Sequence, residues 1–195
     1  MSGSGSRPRG RESAVEALVD AARGLFAVHG PDAVSLRDIA RAAGVNHGLI
    51  HHYIGSRDDL LKLVFARSTE QARHEVEDAR DVTEALDALR NLGAGSSDYA
   101  RLLAWALLEG HDPAEFHGRS AALDAVVRAS GHDSRELRLA LAMATVQALG
   151  WKLFGDYARL AAGLGDEDPE VVRRDVETLV DHLVVLTNAT AGMQQ

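Results

Sequence analysis

Ten residues from Asn46 to Gly55, NHGLIHHYIG, hold three of the nine histidines in a chain of 195 residues. His47 and His51 are four apart, so a helix places their imidazoles on one face, and two imidazoles so placed can share a metal ion. The same rings can relay protons. Neutral, they can accept and donate hydrogen bonds at base edges; protonated, they can pair with phosphate. His-x-x-x-His occurs by chance in many helical proteins, so spacing leaves all of these open. The choice depends on the elements that carry the histidines.

Hydrophobic residues make up 46% and charged residues 26% of the chain, the composition of a globular protein rather than a disordered one. There is no cysteine, which excludes disulfides, thiolate catalysis and cysteine-type zinc sites. No apolar run approaches the roughly 20 residues that cross a bilayer, and the Ser/Gly/Arg start lacks the apolar core of a signal peptide. A cytoplasmic location and no membrane partner are expected. The net charge is −8, unevenly spread: residues 1–55 carry six arginines and five acids, and all the remaining excess of acid lies beyond them. Such asymmetry suits an N-terminal part that meets a polyanion and a remainder that stays acidic.

Residues 1–11, MSGSGSRPRGR, have no apolar period and are expected to form a flexible basic arm that either touches phosphate or only trails. From Glu12, Val15, Leu18, Val19, Ala22, Leu25 and Phe26 follow the spacing of an amphipathic helix that stops near Gly30-Pro31. Ser35 followed by Asp38 resembles a capping box and opens a short helix that Gly44 closes. Asn46 caps a second short helix to about Ile54, and Ser56-Arg57-Asp58-Asp59 opens a longer one to about Arg80. Later breaks fall at Gly93-Gly95, Asp112-Pro113, Gly131 to Ser134 and Asp168-Pro169. No segment alternates with period two, so the expected class is all-α.

Two short helices crossing steeply over a tight turn need a small residue at the contact, a glycine in the turn and apolar inner faces. Ala40, Gly44, and Ile39, Ala43, Val45, Ile50 and Tyr53 meet those demands within one window. This is a helix-turn-helix, and the histidines lie on its second helix, with His47 and His51 facing away from Ile50 towards a major groove.

Through LFAVHG, SLRDIARAAGV and HHYIGSRDDL, from about Leu18 to Leu61, the chain resembles the TetR family of transcriptional repressors. The resemblance implies an N-terminal three-helix DNA-binding domain, assigned to residues 12–58, and a helical ligand-binding and dimerisation domain, assigned to residues 59–195. It further implies a homodimer joined by the last two helices, a palindromic operator in double-stranded DNA, and release by a small-molecule effector. Where members of the family commonly have Lys, Tyr, Phe and Lys, this chain has His47, His51, Ile54 and Arg57, a departure that bears on the DNA sequence read.

Phosphate contacts position a recognition helix and base contacts select the sequence. The first role is assigned to Ser35, Arg37, Tyr53 and Arg57, the second to Asn46, His47, Leu49, His51 and His52, with Gly48 allowing close approach. Long helices are expected through Leu137, Leu141, Ala144, Ala148 and Trp151, and through Val172, Val176, Leu179, Leu183 and Leu186. Trp105, Phe116, Trp151 and Phe154 are candidate walls of an effector pocket, with Glu109, His111 or His117 as polar anchors. No cofactor is expected. An enzyme is disfavoured, because the chain has no Gly-x-Ser-x-Gly elbow, no phosphate loop after a strand and no His-Glu-x-x-His. The other alternative is a metal-responsive regulator using His47 and His51.

Overall fold

The computed structural model describes residues 10–94, 97–116 and 120–192. Its elements, in chain order, are helices α1 (Arg11–His29), α2 (Leu36–Ala42), α3 (His47–Tyr53), α4 (Arg57–Glu77), α5 (Val82–Ala94), α6 (Asp98–Leu108), α7 (Pro113–Phe116), α8 (Ala121–Ala129), α9 (Arg135–Ala161) and α10 (Pro169–Gly192). No strand occurs among the described residues, so the all-α expectation is met. No helix among them is long and apolar enough to cross a membrane.

Helix boundaries follow local chemistry. Ser35 accepts the Asp38 amide at 3.2 Å and donates its own hydroxyl to the Asp38 carboxylate at 2.5 Å. The reciprocal half of a full capping box, from carboxylate to N-cap amide, is therefore absent at α2. It is present at α4, where the Ser56 amide reaches Asp59 at 2.9 Å and the Asp59 amide reaches the Ser56 hydroxyl at 3.1 Å. Gly44 takes φ +65°, a left-handed conformation that ends α2, while the Val45 amide returns to the Ala40 carbonyl at 3.0 Å. At α10, Pro169 occupies the first turn and the Asp168 carboxylate accepts the Glu170 amide at 2.8 Å.

The helices form two compact units. The first joins the described residues up to Ser68 with α6 and α7; α1 packs along α6 and against α2 and α3. Its core includes Leu18, Phe26, Ile39, Ile50, Leu61, Val64, Phe65 and Leu102, all buried. Complete burial of one such side chain contributes about 1.5–3 kcal/mol. The second unit takes the rest of α4 with α5, α8, α9 and α10, around Val76, Leu86, Val126, Leu137, Leu141 and Val184.

The compact units divide elsewhere than the expected boundary between residues 58 and 59. Leu60, Leu61, Val64 and Phe65 of α4 are core residues of the first unit, and α6 supplies Leu102 and Ala106 to it. A three-helix module ending at residue 58 would leave that apolar surface uncovered. Of the arm expected over residues 1–11, Arg11 belongs to α1, and residues 1–9 lie outside the described residues.

Candidate nucleic-acid interface

Helix α3 is anchored by one fully buried residue, Ile50, with Val45, Ile54 and Ala43 packed on the same core. Fixing Ile50 inward leaves the other faces of a seven-residue helix outward, and His47, Gly48, Leu49, His51 and His52 are all exposed. The unit thus presents a continuous face of hydrogen-bonding groups around one apolar contact, Leu49. Asn46 caps the helix, its side-chain oxygen accepting the Gly48 amide at 2.9 Å. That leaves the carboxamide N–H groups as the donors Asn46 can offer a base.

His51 is held in one orientation, with Nδ1 3.1 Å from the Gly55 carbonyl oxygen. A carbonyl only accepts, so Nδ1 carries the hydrogen and Nε2 of the neutral ring is an acceptor. His47 stands edge-on to His51, ring centroids 5.8 Å apart, and His52 lies 5.6 Å from the Tyr53 ring. A β-carbon built on Gly48 would meet only Asn46 Oδ1, at 3.4 Å, so nothing inside the protein requires glycine there.

Of the residues assigned to phosphate, Ser35 and Arg37 are exposed at the start of α2 and Tyr53 is half-buried at the end of α3. Arg11 lies 6.0 Å over the Tyr53 ring, bringing a cation to the same edge. Arg11 falls within the segment expected as the arm, and no local signal links two residues so far apart in the chain. Arg57 also has partners within the protein: its guanidinium donates to the Asp32 carbonyl at 2.9 Å and forms an ion pair with the Asp32 carboxylate. It ties the start of α4 to the segment between α1 and α2. Asp38, bonded by the Ser35 hydroxyl and faced by Arg41 at 2.6 Å, has its carboxyl held below the usual carboxylate range.

A sequence profile of the family described as "Bacterial regulatory proteins, tetR family" matches residues 18–64, the span that contains this helix pair. Over 184 residues the chain is 34% identical to an HTH-type transcriptional repressor of Mycobacterium tuberculosis, Rv3405c, covering 91% of this chain and 92% of that one. This chain belongs to the TetR family. It is a helix-turn-helix transcriptional regulator that binds DNA, and not an enzyme. BetI of Agrobacterium fabrum is 52% identical over 46 residues, 24% of this chain and 22% of BetI. A tetR-family regulator from Streptomyces coelicolor shares the fold with a TM-score of 0.66 at 19% identity, covering 96% of this chain and 85% of that one. TetR-family kinship thus rests on the whole length as well as on the helix-turn-helix.

The expected effector-pocket residues fall in both compact units. Phe116 packs on Phe65, centroids 4.8 Å apart, and on His111 at 5.4 Å, as part of the first unit's core. Trp105 and Glu109 crowd Gly30, where a β-carbon would meet Glu109 Oε1 at 2.8 Å and the indole at 3.2 Å; Gly30, at φ +83°, makes that approach possible. Trp151 and Phe154 sit on α9 of the second unit, where both line an open hollow with Val146, Gln147, Gly150, Gly155 and Ala158, and Phe154 is 63% exposed. His117 lies outside the described residues.

Beside the imidazoles of His47 and His51 no third potential metal ligand stands among the described residues. Among the described residues the one group of three potential ligands within reach of a single ion is Asp32, Glu109 and His111.

Proposed function

We propose that this protein is a homodimeric repressor that binds a palindromic operator through α3 and is released by a small-molecule effector. The observation that carries the DNA-reading part is the exposed polar face of α3, locked by Ile50 inside and capped by Asn46. Asn46, His47, Leu49, His51 and His52 read bases, Leu49 through apolar contact with a thymine methyl, and Gly48 lets the helix approach closely. Ser35, Arg37 and the Tyr53 hydroxyl hold phosphates. Arg57 joins them with the N–H groups that Asp32 leaves over.

Supporting the dimer is an uncovered apolar stripe. Met143, Val146, Phe154, Tyr157 and Leu160 recur at intervals of three or eight along α9 and are all at least 60% exposed. Leu179, Leu183 and Leu186 of α10 are exposed as well. A stripe of this kind on two neighbouring helices fits a four-helix contact between two copies. Two copies also place two recognition helices on one duplex, which is the geometry a palindrome requires. Repression is supported by the repressor of Mycobacterium tuberculosis to which the chain is similar along nearly its whole length, and effector release by family kinship.

Selection of bound fragments from a random DNA pool by the full chain tests this reading. Enrichment of a short inverted repeat, bound by two chains in sedimentation, is the expected result. Enrichment of no sequence, or of a single unrepeated half-site bound by one chain, would overturn it.

A further inference from the structure

The chain between α1 and α2 and the chain leaving α6 bring together three side chains that neither the helix-turn-helix nor the apolar stripe uses. Asp32, Glu109 and His111 each offer one ligand atom, and these atoms all lie within 4.8 Å of one another. Glu109 Oε2 is 4.0 Å from His111 Nε2. All three residues belong to the first unit.

The arrangement is built rather than incidental. Glu109 Oε1 lies 3.4 Å from the Asp32 amide and against Gly30, whose missing side chain admits it. This pins the carboxylate so that Oε2 is turned away from water, and Oε2 has no hydrogen-bond partner. A buried carboxylate oxygen without a partner is costly unless something cationic meets it. Gly110 takes φ +87° at the end of α6, and the His111 amide returns to the Ala106 carbonyl at 3.0 Å, which turns His111 back beside Glu109. The imidazole is braced by the Phe116 ring at 5.4 Å.

We propose that Asp32, Glu109 and His111 form a binding site for a divalent transition-metal cation of the Zn2+ class. One imidazole and two carboxylates suit a cation of borderline hardness; the hard Mg2+ and Ca2+ favour oxygen-only sets, and soft ions seek the thiolates this chain lacks. With bonds of about 2.1 Å, tetrahedral ligand atoms around such an ion stand roughly 3.4 Å apart. The Glu109–His111 separation of 4.0 Å is slightly wider than that, and no pair in the group is wider than 4.8 Å, so closing on an ion takes side-chain movements of up to about 1.4 Å. Three protein ligands leave at least one position for water. Arg57 keeps one Asp32 oxygen while the ion takes the other, so a filled site would tie the end of α6 to the segment that leads into α2.

The test uses the full chain, freed of metal with a chelator, titrated calorimetrically with Zn2+ and spectroscopically with Co2+. One ion is expected per chain, bound equally by the parent and by a His47→Gln/His51→Gln variant. Binding should weaken on the order of tenfold or more in Asp32→Asn, Glu109→Gln and His111→Ala. Zn2+ should raise the melting temperature of the parent and leave those three variants where they melt without it. Absence of uptake, uptake that none of the three substitutions weakens, or loss of uptake in the His47/His51 variant would each overturn the proposal. Should Glu109→Gln fold poorly, Asp32→Asn and His111→Ala decide the matter, since neither residue belongs to the buried core.

Discussion

His51 is fixed before any DNA arrives, because its Nδ1 hydrogen is spent on the Gly55 carbonyl. Its Nε2 can then only accept while the ring is neutral, which selects an amino group, adenine N6 or cytosine N4, as partner. His51→Ala should therefore relax preference at one base position in each half-site, costing about 1–3 kcal/mol for the preferred base and little for the others; binding to a panel of single-base operator variants measures it. Arg37→Ala should instead weaken all sequences alike and lower the salt dependence by about one phosphate contact. Gly48 gives a prediction of two opposite signs. An alanine there meets only ordinary contact and removes a glycine from a helix, so melting should show stabilisation of about 0.5–1 kcal/mol. Operator affinity should fall nonetheless if α3 approaches the duplex as closely as proposed, and an unchanged affinity would remove Gly48 from the interface.

At the scale of the element, α2, α3 and α4 are too short or too polar at their starts to persist without caps. Asn46 accepts the Gly48 amide, so Asn46→Ala should cost about 1 kcal/mol in a denaturant titration while Asn46→Ser, which keeps an acceptor, should cost a few tenths. The carboxyls that begin α2 and α4 carry a pH signature. Asp38 is held below its ordinary range chiefly by the Ser35 hydroxyl, and Asp59 chiefly by the Ser56 hydroxyl and then the Ser56 amide. A carboxyl lowered in the folded state stabilises above its unfolded value, near 3.9, and loses that contribution as pH falls through the folded one. The parent should therefore lose stability through that acid window more steeply than an Asp38→Asn/Asp59→Asn variant, with no difference in slope near neutrality. Melting temperatures taken from pH 7 down to 3 check both statements.

At the scale of the whole molecule, the apolar stripe of α9 and α10 is left uncovered by the chain itself. Placing a charge in its middle, as in Val146→Glu, should shift the chain from dimer to monomer in sedimentation. The core of the unit that carries α3 should stay folded, since Val146 is 72% exposed and belongs to neither buried cluster. Operator affinity should then drop by orders of magnitude because the two half-sites are no longer read by linked helices. A monomer that kept full affinity would contradict the dimeric reading.

The sequence by itself determined whatever depends on near neighbours. Ser35, Asn46, Ser56 and Asp168 announce helix starts, Gly44 announces a turn, and the period of Leu18, Val19, Ala22 and Phe26 announces a buried face; caps and amphipathic spacing act within a few residues, so they can be read along the chain. Ile50 inside and the histidines outside followed from the same geometry. Tertiary structure alone decided the partnerships between distant segments. Arg57, assigned to phosphate, is held by Asp32; Arg11, assigned to a loose arm, stacks over Tyr53. The residues of α4 past position 58 complete the core around α3, together with α6. Glu109 and His111, expected as anchors of an effector pocket, lie together with Asp32. Arg57 and Asp32, Arg11 and Tyr53, and Asp32 and Glu109 stand 25, 42 and 77 positions apart, and at such separations only the packed helices determine which side chains meet.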